Sequence, residues 1–330
     1  MIVRMKDKRI IVFLLFAAVL CGCQNALEVG LTVRECAPIP TGRASACACV
    51  ADGKAYVFGG RNSQGAHLND LWQYDPKTDT WTDLGAAPMK GRVNATMVSD
   101  GTKLFVGLGY SASRAYVDSA YMRDWWEYTP ATGTWKQLAN YPSSNTVAAT
   151  SLIAEGNIYV LFGFGHHYSQ DIYTYSTSED RWTSMGTNTQ RPPYHFGGRG
   201  TMHQGRLYFG LGYSTSGNIR RWYEADVPAD SWAERKPIPG KGRVFAACAG
   251  SGEYIYIFGG RHFAGDMTGG EIMDTYARYS PTQDKWEWCG RMPGGRAENL
   301  VAFTIDGTVY FGLGENEEGK IQNALYRIEE

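Results

Sequence analysis

Six arginines, each directly after a glycine, are the residues of this 330-residue chain whose type and spacing point most clearly to chemistry. They are Arg43, Arg61, Arg92, Arg243, Arg261 and Arg296. A guanidinium keeps its charge when it is partly desolvated and can bind a carboxylate through two parallel hydrogen bonds. If the fold gathers these side chains on one concave surface, they predict an anionic, carboxylate-bearing ligand, either a carbohydrate or an acidic peptide.

The Gly-Arg pairs have a second interpretation that the residues alone leave open. An arginine that recurs at one position can belong to a connection between repeated units, where it pairs with backbone carbonyls or with nearby acids. Three of the six, Arg43, Arg92 and Arg243, stand seventeen residues before a recurring glycine motif, and His195 takes that position in another copy. In that interpretation the chain is a structural scaffold without a small-molecule ligand.

Glu315 is the acidic member of a second comparable set, formed by the residues that directly follow the recurring glycines. The set contains Arg61, Tyr110, His166, Tyr213, Arg261 and Glu315. A titratable side chain within hydrogen-bond reach of a bound substrate can act as a general acid or base, so Glu315 is the candidate catalytic residue. The alternative is a solvated loop glutamate, since Asn316, Glu317 and Glu318 follow it.

The histidines and cysteines predict neither a metal site nor a cofactor. No spacing among His166, His167, His195, His203 and His262 matches a ligand set. Beyond residue 23 the cysteines are Cys36, Cys47, Cys49, Cys248 and Cys289, an odd number without paired spacing. We expect them to be buried, unreactive fillers rather than a disulfide framework. The formal net charge of −1 excludes the basic surface that nucleic-acid binding needs.

The elements that must position these residues come from an internal repeat of about 50 residues. A strand-like segment ends in Gly-Gly, Gly-Leu-Gly or Gly-Phe-Gly six times, with closing glycines at 60, 109, 165, 212, 260 and 314. A tyrosine then precedes a tryptophan by seven residues, as in Tyr74 and Trp81. With 40 glycines and 44 aromatic residues, this composition is typical of short strands joined by tight turns.

The glycine doublet with the spaced tyrosine and tryptophan resembles the kelch repeat, and the resemblance covers residues 30–330. It implies an all-β, six-bladed kelch-type β-propeller with four antiparallel strands in each blade. The sixth copy stops before its fourth strand, whereas residues 31–40 match the segment that precedes Gly91-Arg92. We therefore expect an N-terminal strand to complete the last blade and close the ring. Both arginine-bearing loop sets would then surround one mouth of the central channel.

Two enzyme families share this kind of fold. The chain distantly resembles the periplasmic sialic acid mutarotases (N-acetylneuraminate epimerases), in which a glutamate after a blade's glycines and a later arginine lie in the pocket. Glu315 matches the glutamate, but Lys320 and Ile321 stand where the arginine should follow. Copper-dependent galactose oxidases have seven blades, and their tyrosine–cysteine crosslink and two histidines cannot be assembled from this sequence. Shared fold alone carries no function.

The first residues of the chain predict a targeting signal. Residues 1–22 combine a cationic start with the apolar run Ile10–Leu20, which is too short for a comfortable span but right for a signal peptide. Leu20-Cys21-Gly22-Cys23 resembles the bacterial lipobox, which implies lipidation of Cys23. We expect a linker over 23–30, a propeller over 31–330, and attachment to the bacterial cell envelope by this lipid alone, facing the periplasm or the cell surface.

Overall fold

Six four-stranded antiparallel sheets surround a central channel, and we number them blades 1 to 6 in chain order. The computed structural model describes residues 29–111, 120–143, 146–164, 171–193 and 195–329. The predicted signal peptide and Cys23 lie outside these residues. Within the described part, no helix combines the length and the apolar character needed to cross a membrane.

The first three blades use consecutive strands, which follow one another from the channel outward. Blade 1 contains β2 (Cys47–Ala51), β3 (Lys54–Phe58), β4 (Asp70–Asp75) and β5 (Thr80–Ala86). Blade 2 contains β6 (Thr96–Ser99), β7 (Leu104–Gly107), β8 (Trp125–Thr129) and β9 (Thr134–Leu138). Blade 3 contains β10 (Thr150–Ala154), β11 (Asn157–Leu161), β12 (Ile172–Ser176) and β13 (Arg181–Ser184).

The next two blades each carry an additional two-stranded ribbon between their second and third strands. Blade 4 contains β14 (Arg199–His203), β15 (Arg206–Gly210), β18 (Trp222–Asp226) and β19 (Ser231–Arg235), with the ribbon β16 (Tyr213–Ser214) and β17 (Gly217–Asn218). Blade 5 contains β20 (Ala247–Ser251), β21 (Tyr254–Phe258), β24 (Thr275–Ser280) and β25 (Lys285–Arg291), with the ribbon β22 (Arg261–His262) and β23 (Glu271–Ile272).

Blade 6 confirms the predicted closure by the N-terminal segment. It contains β26 (Val301–Ile305), β27 (Thr308–Gly312), β28 (Leu325–Glu329) and, as its outer strand, β1 (Thr32–Cys36). Strand β1 pairs antiparallel with β28, in a register that runs from Thr32 opposite Glu329 to Cys36 opposite Leu325. The last blade thus takes one strand from the other end of the chain, and no edge of β28 is left unpaired.

A repeated set of hydrogen bonds fastens joints between blades, including the one that closes the ring. The Tyr74 hydroxyl donates to Asp79 Oδ1 over 2.8 Å, and the same oxygen accepts from the backbone N–H of Ala37 over 2.8 Å. Trp81 Nε1 donates to the Ala37 carbonyl over 2.8 Å. The spaced tyrosine and tryptophan of the repeat therefore hold the chain that leaves the neighbouring blade's outer strand.

The core of the described residues consists mainly of six apolar clusters, one between each pair of adjacent blades. Between blades 5 and 6, for example, the rings of Phe258 and Phe311 stack with centroids 4.1 Å apart. Each blade buries its faces only against its neighbours, so the ring has to be complete for the chain to be stable. This packing also aims every loop of one type at the same end of the channel.

Candidate functional site

The residue that begins each loop at the channel mouth is defined by a short backbone bridge after the closing glycine. The bridges join Ala44 to Arg61, Val93 to Tyr110, Val147 to Phe164, Phe196 to Tyr213, Val244 to Arg261 and Glu298 to Glu315. We call Arg61, Tyr110, Phe164, Tyr213, Arg261 and Glu315 the mouth residues. Five of them are the residues expected from the sequence.

The third blade corrects one prediction. Its closing glycine is Gly163 rather than Gly165, because Phe162 and Gly163 carry φ values of +55° and +104°, which match +60° and +93° at Leu108 and Gly109. The mouth residue is consequently Phe164, and His166 does not have this position and lies outside the described residues. The sequence Gly-Phe-Gly is compatible with either alignment, since its two glycines stand two residues apart.

Blades 5, 6 and 1 form a charged arc made of Arg61, Arg261, Glu298 and Glu315. Arg61 Nη2 donates to Glu315 Oε2 over 2.5 Å, and Arg261 Nη2 donates to Glu298 Oε1 over 2.6 Å. Arg261 is fully engaged, because its Nε also contacts Glu298 and its Nη1 donates to the Gly269 carbonyl. Hydrogen bonding to Glu298 raises the pKa of Arg261. The arc is thus close to neutral, rather than the excess of positive charge that the arginines predicted.

Arg61 and Glu315 keep unused hydrogen-bonding atoms. Among the described residues, Nε and Nη1 of Arg61 and Oε1 of Glu315 make no hydrogen bond. The Arg61 side chain is 36% exposed and that of Glu315 is 16% exposed. His67 lies beside Arg61, and burial followed by the Arg61 charge lowers its pKa. This pair therefore presents donors and an acceptor to a molecule in the mouth.

An aromatic arc lies on the opposite side. It consists of the mouth residues of blades 2, 3 and 4 and of two phenylalanines, Phe196 and Phe245, in the connections that enter blades 4 and 5. Its partly exposed rings are those of Tyr110, Phe164, Phe196, Tyr213 and Phe245. Phe196 is the central member, with ring centroids 5.1 Å from both Phe164 and Phe245. Phe164, Phe196 and Phe245 thus form a row of partly exposed rings in contact, and such a row is typical of a binding site.

Two of the Gly-Arg arginines have a structural place rather than the predicted place in the mouth. Arg43 is fully buried and forms two hydrogen bonds with the Asp70 carboxylate, over 2.8 and 3.0 Å. Arg92 makes the same paired contact with Asp124, over 2.7 and 2.9 Å. Burial alone would raise the pKa of both carboxyls, but hydrogen bonds and charge from the arginines lower them overall. Both guanidiniums also donate to a backbone carbonyl before a closing glycine.

The glycine of each Gly-Arg pair is explained by the same connection. A Cβ on Gly91 would lie 2.1 Å from the carbonyl oxygen of His67, and one on Gly42 would lie 2.9 Å from that of Gln322. Only glycine permits so close an approach of two backbones. The glycine and the arginine thus form one joint between successive blades, which was the second interpretation of these pairs.

The predictions that Arg243 and His195 line the mouth are also wrong, because both side chains are buried. Arg243 is 1% exposed, donates to the Gly259 carbonyl over 3.0 Å and lies over the Trp288 ring. His195 is also 1% exposed and stacks near Phe162 and Phe209, and burial lowers its pKa to about 4. Neither side chain is presented to the channel mouth.

Arg296 remains at the rim of the mouth, partly exposed. Its Nη1 donates to the Ile272 carbonyl over 3.2 Å, and its Nε lies 3.5 Å from Glu317. Its contribution to binding stays a prediction, as does that of Arg61, Tyr110, Tyr213, Arg261 and Glu315.

Five backbone hydrogen bonds link six residues next to the mouth in a ring that is open between Ala148 and Gly197, both of which the structure describes. It runs through Ser45, Asn94, Ala148, Gly197, Phe245 and Asn299, which all have positive φ values. Ser45 N donates to Asn299 O, Asn299 N to Phe245 O, and Phe245 N to Gly197 O, over 2.9 to 3.1 Å. These hydrogen bonds hold the left-handed backbone that recurs at one position of every blade.

The cysteines and histidines of the described residues form no candidate metal centre. No group of three or more His, Cys, Asp or Glu side chains there is arranged to hold a metal ion. The cysteine thiols are free and wholly or partly buried. Burial raises the pKa of Cys47 to about 12, as expected for an unreactive filler.

Sequence reasoning missed Glu298, Phe164, Phe196, Phe245 and His67 at this site. Glu298 had a signal, because it is the charged residue at a position occupied by Ala44, Val93, Val147, Phe196 and Val244 in the other copies. The aromatic residues had none, since their contacts join different blades.

Six four-stranded blades, glycine-closed second strands and a tyrosine–tryptophan joint define a kelch-repeat β-propeller. The chain belongs to the family of the KLHDC2/KLHL20/DRC7 Kelch-repeats domain, whose model matches residues 31–212. A solved structure titled "Structure of YjhT" shares the fold, with a TM-score of 0.74 over 88% of this chain and 96% of that chain. At 16% sequence identity this likeness shows the fold alone.

Curated relatives share the repeats at low identity. Kelch-like protein 25 of Xenopus tropicalis is 24% identical over 82% of this chain. Kelch domain-containing protein 10 of Rattus norvegicus is 28% identical over 53% of this chain. The aligned part spans 45% and 47% of these relatives, so this chain matches less than half of their length.

Proposed function

We propose that this propeller binds a small carboxylate-bearing carbohydrate in the mouth of its channel. The observation that carries the proposal is the two-sided mouth, in which the charged arc faces the aromatic arc. Small-ligand sites combine apolar and aromatic walls with a few oriented polar groups. The rings offer flat apolar surfaces, while Arg61 and Glu315 offer donors and an acceptor for a carboxylate and hydroxyl groups.

The near-neutral charged arc favours a sugar acid over an acidic peptide. A peptide with several carboxylates would bring its charges close to Glu298 and Glu315, and Arg261 has no unused nitrogen for it. A sugar acid needs one cation, which Arg61 supplies, and its hydroxyl groups can donate to Glu315. Complementarity of charge and shape, rather than a net electrostatic attraction, would then decide which ligand binds.

Calorimetric titration of the mature chain tests this proposal. The probes are N-acetylneuraminate, galacturonate, neutral galactose and a peptide rich in glutamate. We expect a sugar acid to bind at least ten-fold more tightly than galactose, and Arg61→Ala to abolish that difference. Arg206→Ala, which removes a surface ion pair with Asp226 away from the mouth, is the matched control. Equal binding of galactose and galacturonate would overturn the proposal, and binding of the peptide alone would replace it.

A second candidate function is sugar mutarotation, and Glu315 is the observation that favours it. Opening the ring of a sugar requires removal of a proton from the anomeric hydroxyl and delivery of a proton to the ring oxygen. Glu315 has one free carboxylate oxygen for this transfer, although Ile321 is its backbone partner and offers no side-chain donor.

NMR exchange between the anomers of N-acetylneuraminate separates this activity from simple binding. We expect acceleration over buffer by the wild-type chain and none by Glu315→Gln, with binding retained. Anomers that exchange at the buffer rate in the presence of bound sugar would leave a binding protein without this activity. If no probe binds at all, the propeller serves as a scaffold.

For the location we propose anchoring in the bacterial cell envelope through a lipid on Cys23. The support is the lipobox-like Leu20-Cys21-Gly22-Cys23. Strand β1 begins at Thr32, only nine residues after Cys23, so an anchored propeller would lie close to the membrane surface.

A further inference from the structure

Arg199 is a charged residue on the inner wall of the channel. Neither the packing of the blades nor the candidate site at the mouth explains its charge. The six innermost strands, β2, β6, β10, β14, β20 and β26, are described throughout, and their residues are mostly small or apolar. Along these strands Arg199 is the only lysine, arginine, aspartate or glutamate. Its counterparts at the start of the other strands are Cys47, Thr96, Thr150, Ala247 and Val301.

The charge of Arg199 has no acidic partner among the described residues. Its Nε donates to the Ala246 carbonyl over 2.8 Å and its Nη1 donates to the Gly198 carbonyl over 3.1 Å. These contacts fix the direction of the guanidinium and leave Nη2 without a partner in the described part of the chain. The buried arginines Arg43 and Arg92 each have their own carboxylate, whereas the buried Arg243 lies over the Trp288 ring instead.

The guanidinium lies in a cavity that can hold a ligand. Arg199 lines a space of about 150 Å³ in the channel, together with Thr96, Thr150, Ser151 and Cys248. Among the described residues, no acidic side chain lines this space. Burial lowers the pKa of Arg199 to about 10, so the side chain still carries its charge at neutral pH. Arg199 is partly buried, and a charge that is partly withdrawn from water without a counter-charge is costly unless an ion or water compensates it.

We propose that the channel holds a small monovalent anion, of the carboxylate or halide kind, against Arg199 Nη2. The hydroxyl groups of Thr96 and Ser151 hydrogen-bond to each other, so this pair offers one remaining proton, and the Thr150 hydroxyl is a further neutral donor. The lack of acids among the described lining residues suits an anion. The site lies below the mouth, since Ala246 and Gly198 directly follow the ring residues Phe245 and Gly197, and the six mouth residues do not line the space. It does not depend on the proposed sugar site.

Below Arg199 the channel continues into a larger space of about 440 Å³. The two spaces share Ala48, Met97, Ser151, Gly200 and Cys248 among their lining residues. Small anions therefore have room to reach Arg199 from the face opposite the mouth. Replacement of mouth residues should leave this binding unchanged, which keeps the two proposals distinguishable.

Thermal unfolding in a sodium acetate series tests the site in solution. A ligand that binds only the folded chain raises the melting temperature, and we expect about 2 °C at ten times the dissociation constant. Arg199→Met should remove this acetate-dependent shift, while Arg181→Met, which removes an exposed arginine on the outer strand of blade 3, should keep it. The same shift in wild type and Arg199→Met would overturn the proposal.

A crystal of the wild-type chain soaked in sodium bromide gives a second measurement that needs no variant. We expect an anomalous peak within about 3.5 Å of the Arg199 guanidinium, which is the contact distance of a charge-assisted hydrogen bond to a large anion. If Arg199→Met does not fold, this experiment decides alone. Bromide found only on the outer surface would overturn the proposal.

Discussion

Arg61 of blade 1 donates a hydrogen bond to Glu315 of blade 6 across 2.5 Å, although the two residues are 254 positions apart in the chain. The contact spans the joint where the N-terminal and C-terminal parts of the ring meet. Closure of the propeller therefore also builds this part of the mouth, because blades 1 and 6 are neighbours only in the closed ring.

Replacing Arg61 should affect ligand binding far more than stability. The pair is partly exposed and solvent screens it, so Arg61→Met should lower the free energy of unfolding by about 0–1 kcal/mol, the range for screened ion pairs. We expect its affinity for a sugar acid to fall at least ten-fold in calorimetry. A loss of stability above about 2 kcal/mol, which exceeds that range, with unchanged affinity would assign the pair to structure instead.

Replacing Arg43 should have the opposite profile. Its guanidinium is fully buried, and its removal leaves the Asp70 carboxylate with only Trp72 as a side-chain donor among the described residues. Loss of one member of such a pair costs about 3 kcal/mol. Urea unfolding of Arg43→Met against Arg61→Met measures the contrast. Equal unfolding free energies for the two variants would contradict the structural role of the Gly-Arg pair.

Stability should fall as the pH is lowered through the histidine range, because of His195. Burial lowers its pKa to about 4 in the folded chain, whereas the unfolded chain takes up the proton near pH 6.5. The contribution is thus fully present above pH 6.5 and is lost as the pH falls toward 4, by about 3 kcal/mol. His195→Phe keeps an aromatic ring beside Phe162 and Phe209 but cannot titrate.

Between about pH 7 and 4, the range that spans both pKa values, the unfolding free energy of wild type should therefore fall by about 3 kcal/mol relative to that of His195→Phe, whichever protein is the more stable at pH 7. Other histidines titrate in both proteins, so their effects cancel in the difference. Parallel curves over this range would show that His195 is protonated as easily in the folded chain as in the unfolded chain.

Asp79 should hold the ring closed. Asp79→Ala removes the acceptor for the Tyr74 hydroxyl and the Ala37 N–H, and loss of such bonds costs about 1–3 kcal/mol. We expect faster proteolytic cleavage within residues 29–40, because β1 detaches more often. Limited proteolysis with mass spectrometry measures this release.

Asp180→Ala is the matched control for Asp79→Ala. Asp180 accepts from Tyr175 and from the Ala139 N–H in the same way, but at a joint between consecutive blades. It should lose similar stability without release of the N-terminal segment. Equal release from both variants would contradict a specific role of Asp79 in closure.

Cys23→Ser should convert a membrane-attached chain into a released one. Wild type expressed in a bacterium is expected to incorporate labelled palmitate and to partition into the detergent phase, and Cys21→Ser should do the same. Palmitate incorporation that survives Cys23→Ser would assign the lipid to another residue or reject the anchor.

The sequence by itself determined the number of blades, the four strands in each and the N-terminal closure. These features rest on glycines, tyrosines and tryptophans that recur about every 50 residues, and each acts within its own blade or on the next one. The repeat can be recognised in the sequence because the same turn residues recur in the six copies. The ambiguity of Gly163 and Gly165 arose because the first glycine of Gly-Phe-Gly closes the strand in the third copy, whereas the second glycine closes it in the Gly-Leu-Gly copies.

The tertiary structure decided which arginines are available to a ligand. Arg43 and Arg61 both follow a glycine in the sequence, but one is buried against Asp70 and the other faces Glu315 at the mouth. The difference depends on partners 27 and 254 residues away, which no local pattern specifies. The facing of charged and aromatic arcs has the same origin, because side chains from separate blades become neighbours only when the ring is closed.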